Sequence, residues 1–187
     1  MYGRILVAIM SKKNYGTVRQ ASVAQLDLDA MLGRNSVSLS QLESHLWEAA
    51  NILRGPVDAA DFKSYVFRLL FFKRISDVHD DEHTTALVEF DGDEEASLFP
   101  ENYRFQIPED CHWRDVRKVT KNVGKALQVA MRGIKQANPH TLYGIFSDAQ
   151  WTNKDRLSDT LLRDLIEHFS KLQLGNAAAE ADLIECY

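Results

Sequence analysis

Cysteine and proline are scarce in this chain. The two cysteines, Cys111 and Cys186, lie far apart and outside any metal-ligand spacing. That excludes a disulfide frame or a cysteine zinc site and fits free thiols in a reducing compartment. Four prolines and nine glycines in 187 residues exclude collagen-like and Gly/Pro-rich low-complexity classes. Long apolar runs are missing too. Residues 5–10 form a short one, far below the roughly 20 residues of a membrane span and too short for a secretory signal. A soluble cytoplasmic protein with no membrane partner is expected. No GxSxG elbow, Walker loop or Rossmann glycine fingerprint occurs.

What is present is a hydrophobic content of 45%, enough to bury a real core and to exclude disorder along the whole chain. The formal net charge of −5 hides a strong pattern: −10 over residues 79–112, then +6 over residues 113–156. A basic block behind an acidic one leaves a nucleic-acid surface open despite the acidic mean.

Residues 1–37 read as a weakly structured arm, with a short helix near 24–32 and an alternative start at Met10-Ser-Lys-Lys. The first firm helix opens at Ser40, where Ser40 and Glu43 match a capping box. Leu42, Leu46, Ala49, Ala50 and Leu53 then recur at three and four, and Gly55-Pro56 ends the helix. Asp58 opens a second helix to about Asp77, apolar nearly all round and so central. Residues 79–112 read as an irregular acidic region, with a weak strand signal at 84–90 and breakers at Gly92, Pro100 and Pro108. A long helix over about 113–136 follows, then a short apolar piece at 142–146. A last helix near Ser158 buries Leu161, Leu162, Leu165, Ile166, Phe169 and Leu172. Residues 175–187 form a tail. The fold class is all-α: a compact bundle of about four to six helices with an irregular acidic loop region.

The most informative pattern lies in segment 113–136. At helical spacing Val116, Val119, Val123, Leu127, Ala130 and Ile134 fall on one side. Arg114, Lys118, Lys121, Lys125 and Arg132 fall opposite, flanked by Arg117 and Lys135. Seven cations on one face are able to follow a phosphate backbone; the plainer alternative is a solvated face pairing with the acidic segment. His79 and His83 sit at i and i+4 with carboxylates between, yet no third metal ligand is specified, so no metal site is assigned. Asp91-Gly-Asp-Glu-Glu95 places its glycine wrongly for a calcium loop. Asn138-Pro-His-Thr lacks the second proline and the aromatic of an amino-methyltransferase motif. No catalytic or cofactor-binding residue emerges.

Several elements together resemble a known family. They are Leu46-Trp47 to Asn51, Leu53-Arg54-Gly55, Asp58-Ala59, Phe62-Lys63 and Leu69-Leu-Phe-Phe-Lys-Arg-Ile-Ser-Asp77. With Pro108, Trp113, Gly124, Asn138, Leu142, Gly144-Ile-Phe146 and Leu165-Ile-Glu-His-Phe169, they resemble the N-terminal helical domain of the type I restriction–modification methylation subunit, HsdM. The resemblance covers about residues 38–174. It implies a part in adenine-N6 DNA methylation with S-adenosylmethionine, beside a sequence-reading specificity subunit and a restriction subunit. The glycine-rich cofactor loop and the Asn-Pro-Pro-aromatic motif of that family lie in a following catalytic domain and are not in this sequence. The chain is therefore expected to be a fragment, inactive alone and holding no cofactor itself. Arg54, Lys63 and Lys73 match the family pattern and are expected to be structural, the lysines snorkelling from a crowded helix.

Three readings follow. A domain gripping double-stranded DNA through its phosphates comes first, since a methyltransferase of this kind must flip its base out of the duplex. The alternative is a purely protein–protein docking module for the specificity subunit or the catalytic domain. An enzyme with a metal at His79 and His83 is the third.

Overall fold

The computed structural model describes residues 37–142, 144–146 and 150–175. The expected short helix in the arm, the alternative start and the tail beyond residue 175 lie outside them. The described residues form six α-helices and one 3-10 turn, with no strand. The expected all-α bundle is what the chain forms.

Helix α1 (Leu39–Leu53) starts two residues earlier than the sequence suggests. Ser38 is the N-cap, its hydroxyl accepting from the Gln41 amide (3.3 Å), while the Gln41 side chain returns a bond to the Ser38 amide (2.9 Å). Ser-x-x-Gln satisfies free first-turn donors as well as Ser-x-x-Glu does, and the upstream pair forms the box instead of Ser40 and Glu43. Leu42, Leu46, Ala49 and Leu53 face the core. Arg54 then turns extended and Gly55 takes φ 106°, a region that favours glycine.

Helix α2 (Ala59–Glu89) is 31 residues long, capped by the Asp58 carboxylate. It runs well past Asp77 and takes in the segment that reads as irregular, including the candidate strand at 84–90. Nothing between His79 and Glu89 breaks a helix: the stretch holds no glycine or proline, its polar residues are half-buried or exposed, and only Ala86 is fully buried. The stop comes where backbone geometry changes. Asp91 adopts φ 52°, Gly92 donates to the Leu87 carbonyl (2.7 Å) and Asp91 to the Val88 carbonyl (3.3 Å). This is the paired bonding of a Schellman terminus.

Asp93 caps the four-residue α3 (Glu94–Ser97), and the 3-10 turn Pro100–Asn102 follows. The long helix expected over 113–136 is two helices. Helix α4 (Trp113–Lys118) ends in extended Val119, and α5 (Val123–Ala137) begins after Asn122, which sits at φ 56°. Asparagine tolerates this left-handed conformation better than most residues. The stop is held from outside the segment: the Asp159 carboxylate accepts from the amides of Asn122 (2.9 Å) and Val123 (2.8 Å). Helix α6 (Asp159–Phe169) is capped by Ser158 as its sequence indicates.

The core lies between α2 and α6. Helix α6 packs on α1, α2, α4 and α5, and α2 also packs on α1, α3 and α4. Leu69, Phe72, Leu127, Ile134, Leu157, Leu162, Leu165 and Phe169 are almost wholly excluded from solvent. Burying each such side chain stabilises the fold by about 1.5–3 kcal/mol.

Candidate nucleic-acid interface

All seven cations of the expected stripe are exposed. They do not form one continuous row, because the break at 119–122 puts three on α4, three on α5 and Lys121 in the link between them. The three on α4 are engaged with acids. Arg117 makes a bidentate pair with Glu167 on α6 (2.7 and 2.8 Å), Arg114 lies 3.7 Å from Asp80, and Lys118 lies 3.5 Å from Asp115. The Arg117 bond holds the Glu167 carboxyl below its ordinary range.

Lys121, Lys125, Arg132 and Lys135 form no ion pair among the described residues. Lys125, Arg132 and Lys135 fall within an arc of about 80° on α5, with Lys125 and Lys135 about 15 Å apart along its axis. The opposite face of α5 is buried through Val123, Leu127, Ala130, Met131 and Ile134, so the helix cannot roll. One cation unmarked by local periodicity joins them: Lys154, whose ammonium donates to Asn122 Oδ1 (2.6 Å) at the start of α5. Its partner lies 32 positions away, beyond the reach of a periodicity argument.

The other motifs resolve into structure. Lys73 does not snorkel: it is 4% exposed and pairs with both oxygens of Asp77, one turn on. Asp77 also accepts from the Leu174 amide (2.8 Å). Burial pushes the Asp77 carboxyl up, against the pull of Lys73. Ser76 accepts from the Trp113 amide (3.1 Å), and Arg74 donates to the carbonyls of Leu174 and Gly175. Lys73-Arg-Ile-Ser-Asp77 thus fastens α2 to the start of α4 and to the chain after α6. Arg54 lies over the Trp47 ring (5.9 Å), which joins the Trp and Leu-Arg-Gly elements. Asn138 is a buried clamp: its amide donates to Gln106 O and Ile134 O (both 2.7 Å) and accepts from the Gln106 amide (2.9 Å).

His79 and His83 share a face of α2 and meet Tyr103 in different ways. His83 Nδ1 meets the Tyr103 hydroxyl at 2.8 Å, while His79 stacks on the Tyr103 ring and gathers with Asp80 and His112. That cluster is a poor metal site. His112 Nδ1 accepts from the Arg114 amide (3.2 Å) as the cap of α4, so its proton sits on Nε2, which faces Ser76 O and Asp80. A neutral imidazole has one lone pair, and the cap uses it.

The class these features define is an all-α domain with an exposed basic helix face on a rigid core. The family model for the HsdM N-terminal domain matches residues 42–169, and no curated protein matches the chain. The chain belongs to the HsdM N-terminal domain family and so forms part of a type I restriction–modification modification subunit. No helix among the described residues is long and apolar enough to cross a membrane.

Proposed function

We propose that this domain helps the modification subunit grip double-stranded DNA, through phosphate contacts that carry no sequence information. The observation behind this reading is the unpaired set Lys125, Arg132 and Lys135 on a helix whose other face is locked in the core, with Lys121 and Lys154 beside its start. Cations so placed release counterions from a duplex without needing base-specific geometry. Residues 79–112, at net −10, repel phosphate. In this reading S-adenosylmethionine and adenine N6 are handled by a catalytic domain outside this chain, and target choice by the specificity subunit. The restriction subunit completes the complex.

A second reading, docking to protein with no DNA affinity, is favoured by exposed apolar side chains at the acidic end. Val88, Leu98 and Phe99 are 75%, 60% and 51% exposed. Fluorescence polarisation of the chain with a nonspecific duplex, at low and moderate salt, separates the two. Salt-sensitive binding that weakens in Lys121→Glu and Lys125→Glu supports the grip. No binding at low salt leaves docking as the role.

A further inference from the structure

Helices α1 and α6 meet through two histidines in a reciprocal arrangement. His45 Nε2–H donates to the carbonyl of His168 (2.8 Å), and His168 Nε2–H donates to the carbonyl of His45 (2.9 Å). The rings stack with centroids 3.7 Å apart and 17° between planes. Because both Nε2 atoms must carry hydrogen to make these bonds, the neutral tautomer of each ring has its lone pair on Nδ1. Glu48, one turn after His45, brings its carboxylate to 3.9 Å from His168 Nδ1. One ring nitrogen from each histidine and a Glu48 oxygen lie within 4.8 Å of one another.

We propose that His45, Glu48 and His168 form a binding site for a late first-row divalent cation, with zinc as the fitting ion, joining the first and last described helices. Ligating histidines commonly donate their other N–H to a backbone carbonyl, which fixes the tautomer and points the free nitrogen at the metal. Both rings here already make that carbonyl bond, which fixes the tautomer while the stacked planes leave the free nitrogens to be turned towards an ion. Two imidazoles and one carboxylate are a frequent zinc set and leave a fourth position for water. Glu48 is exposed and His45 half-buried, so an ion has access from solvent, while His168 is buried and anchors the site in the core. A metal takes the ring in its neutral form, in which Nδ1 keeps its lone pair. Lys171 is the cation nearby and Glu48 opposes it. Closing on an ion needs each ring to turn about Cβ–Cγ, a motion that swings Nδ1 further than the hydrogen-bonded Nε2. The ligands come from helices 123 positions apart, so no local spacing marks them. This contrasts with the His79 cluster, where the cap on α4 consumes the needed lone pair.

The test is equilibrium dialysis of the full chain against zinc, with histidine ring 15N shifts and the thermal midpoint as second readouts. One zinc per chain is expected, with the two Nδ1 signals shifting and the midpoint rising. His45→Gln is expected to abolish binding, surface-exposed Glu48→Gln to weaken it at least about tenfold, and His79→Ala to leave it unchanged. Circular dichroism of each variant separates lost folding from lost ligation. No retained zinc in the wild type overturns the proposal. So does zinc retained undiminished by both Glu48→Gln and His45→Gln, or lost with His79→Ala.

Discussion

Lys73 and Asp77 face each other one turn apart inside the longest helix, and both are sealed from solvent. The pair also serves a third group, the Leu174 amide. Removing one partner of a buried pair leaves an uncompensated charge, which costs about 3–5 kcal/mol. Lys73→Met and Asp77→Leu are each expected to lose that much in urea denaturation. The double variant is expected to recover a large part of it, short of full recovery because the Leu174 amide stays unpaired. A double variant as unstable as the sum of the singles would show the pair is not coupled.

Gly124 sits where α5 passes the chain before α6. A Cβ there would overlap the Trp151 carbonyl oxygen and crowd Leu162. Backbone gives way less readily than a side-chain tip, so Gly124→Ala is expected to destabilise by about 1–3 kcal/mol despite the better helix propensity of alanine. A stability unchanged or raised, by chemical denaturation, would contradict this packing.

Stability is expected to fall on mild acidification. Burial first, and neighbouring His112 second, hold the His79 ring down to about 4, with Arg114 and His83 adding to this and Asp80 opposing it. The unfolded chain takes up that proton near the ordinary histidine value of about 6.5. Between about 6.5 and about 4 the unfolded state therefore binds more protons, so this contribution is intact above that window and shrinks as pH falls through it. His45 shifts in the same direction through its own burial. His79 Nδ1 is buried with no hydrogen-bond partner. His79→Phe, which retains a flat ring over Tyr103, is expected to flatten the pH dependence without loss at neutral pH. Urea midpoints measured across the window check this.

The two groups of cations are expected to respond differently to charge removal. Arg117 is already neutralised by Glu167, whereas Lys125 and Arg132 are not. Lys125→Gln and Arg132→Gln are each expected to lower the salt slope of duplex binding by about one phosphate contact. Arg117→Gln is expected to leave it nearly unchanged. Equal losses at all three positions would argue for a general charge effect.

The core was readable wherever the cause was local. Leu42, Leu46 and Ala49 in α1, and Leu162, Leu165, Ile166 and Phe169 in α6, lie where their spacing puts them, because a helix face needs only its own period. The far half of α2 was hidden because charged residues with no breaker read equally as loop or as solvated helix. The break before α5 depends on Asp159 and the Lys73 pair on Leu174, partners brought close only by folding. The candidate face was visible in part for the same reason. Periodicity gathers Lys125, Arg132 and Lys135, but it cannot tell that Arg117 is engaged or that Lys154 joins.

The fastening of Leu174 and Gly175 has a mechanical meaning. Both are bonded to Arg74 or Asp77, and Gly175 lies so close to the Asp81 carboxylate that a Cβ there would have to push that side chain aside. Any load arriving along the chain past residue 175 is delivered to the middle of α2 through a bracket and not a swivel. Torque applied there turns the central shaft of the bundle, and the helices packed on that shaft turn with it.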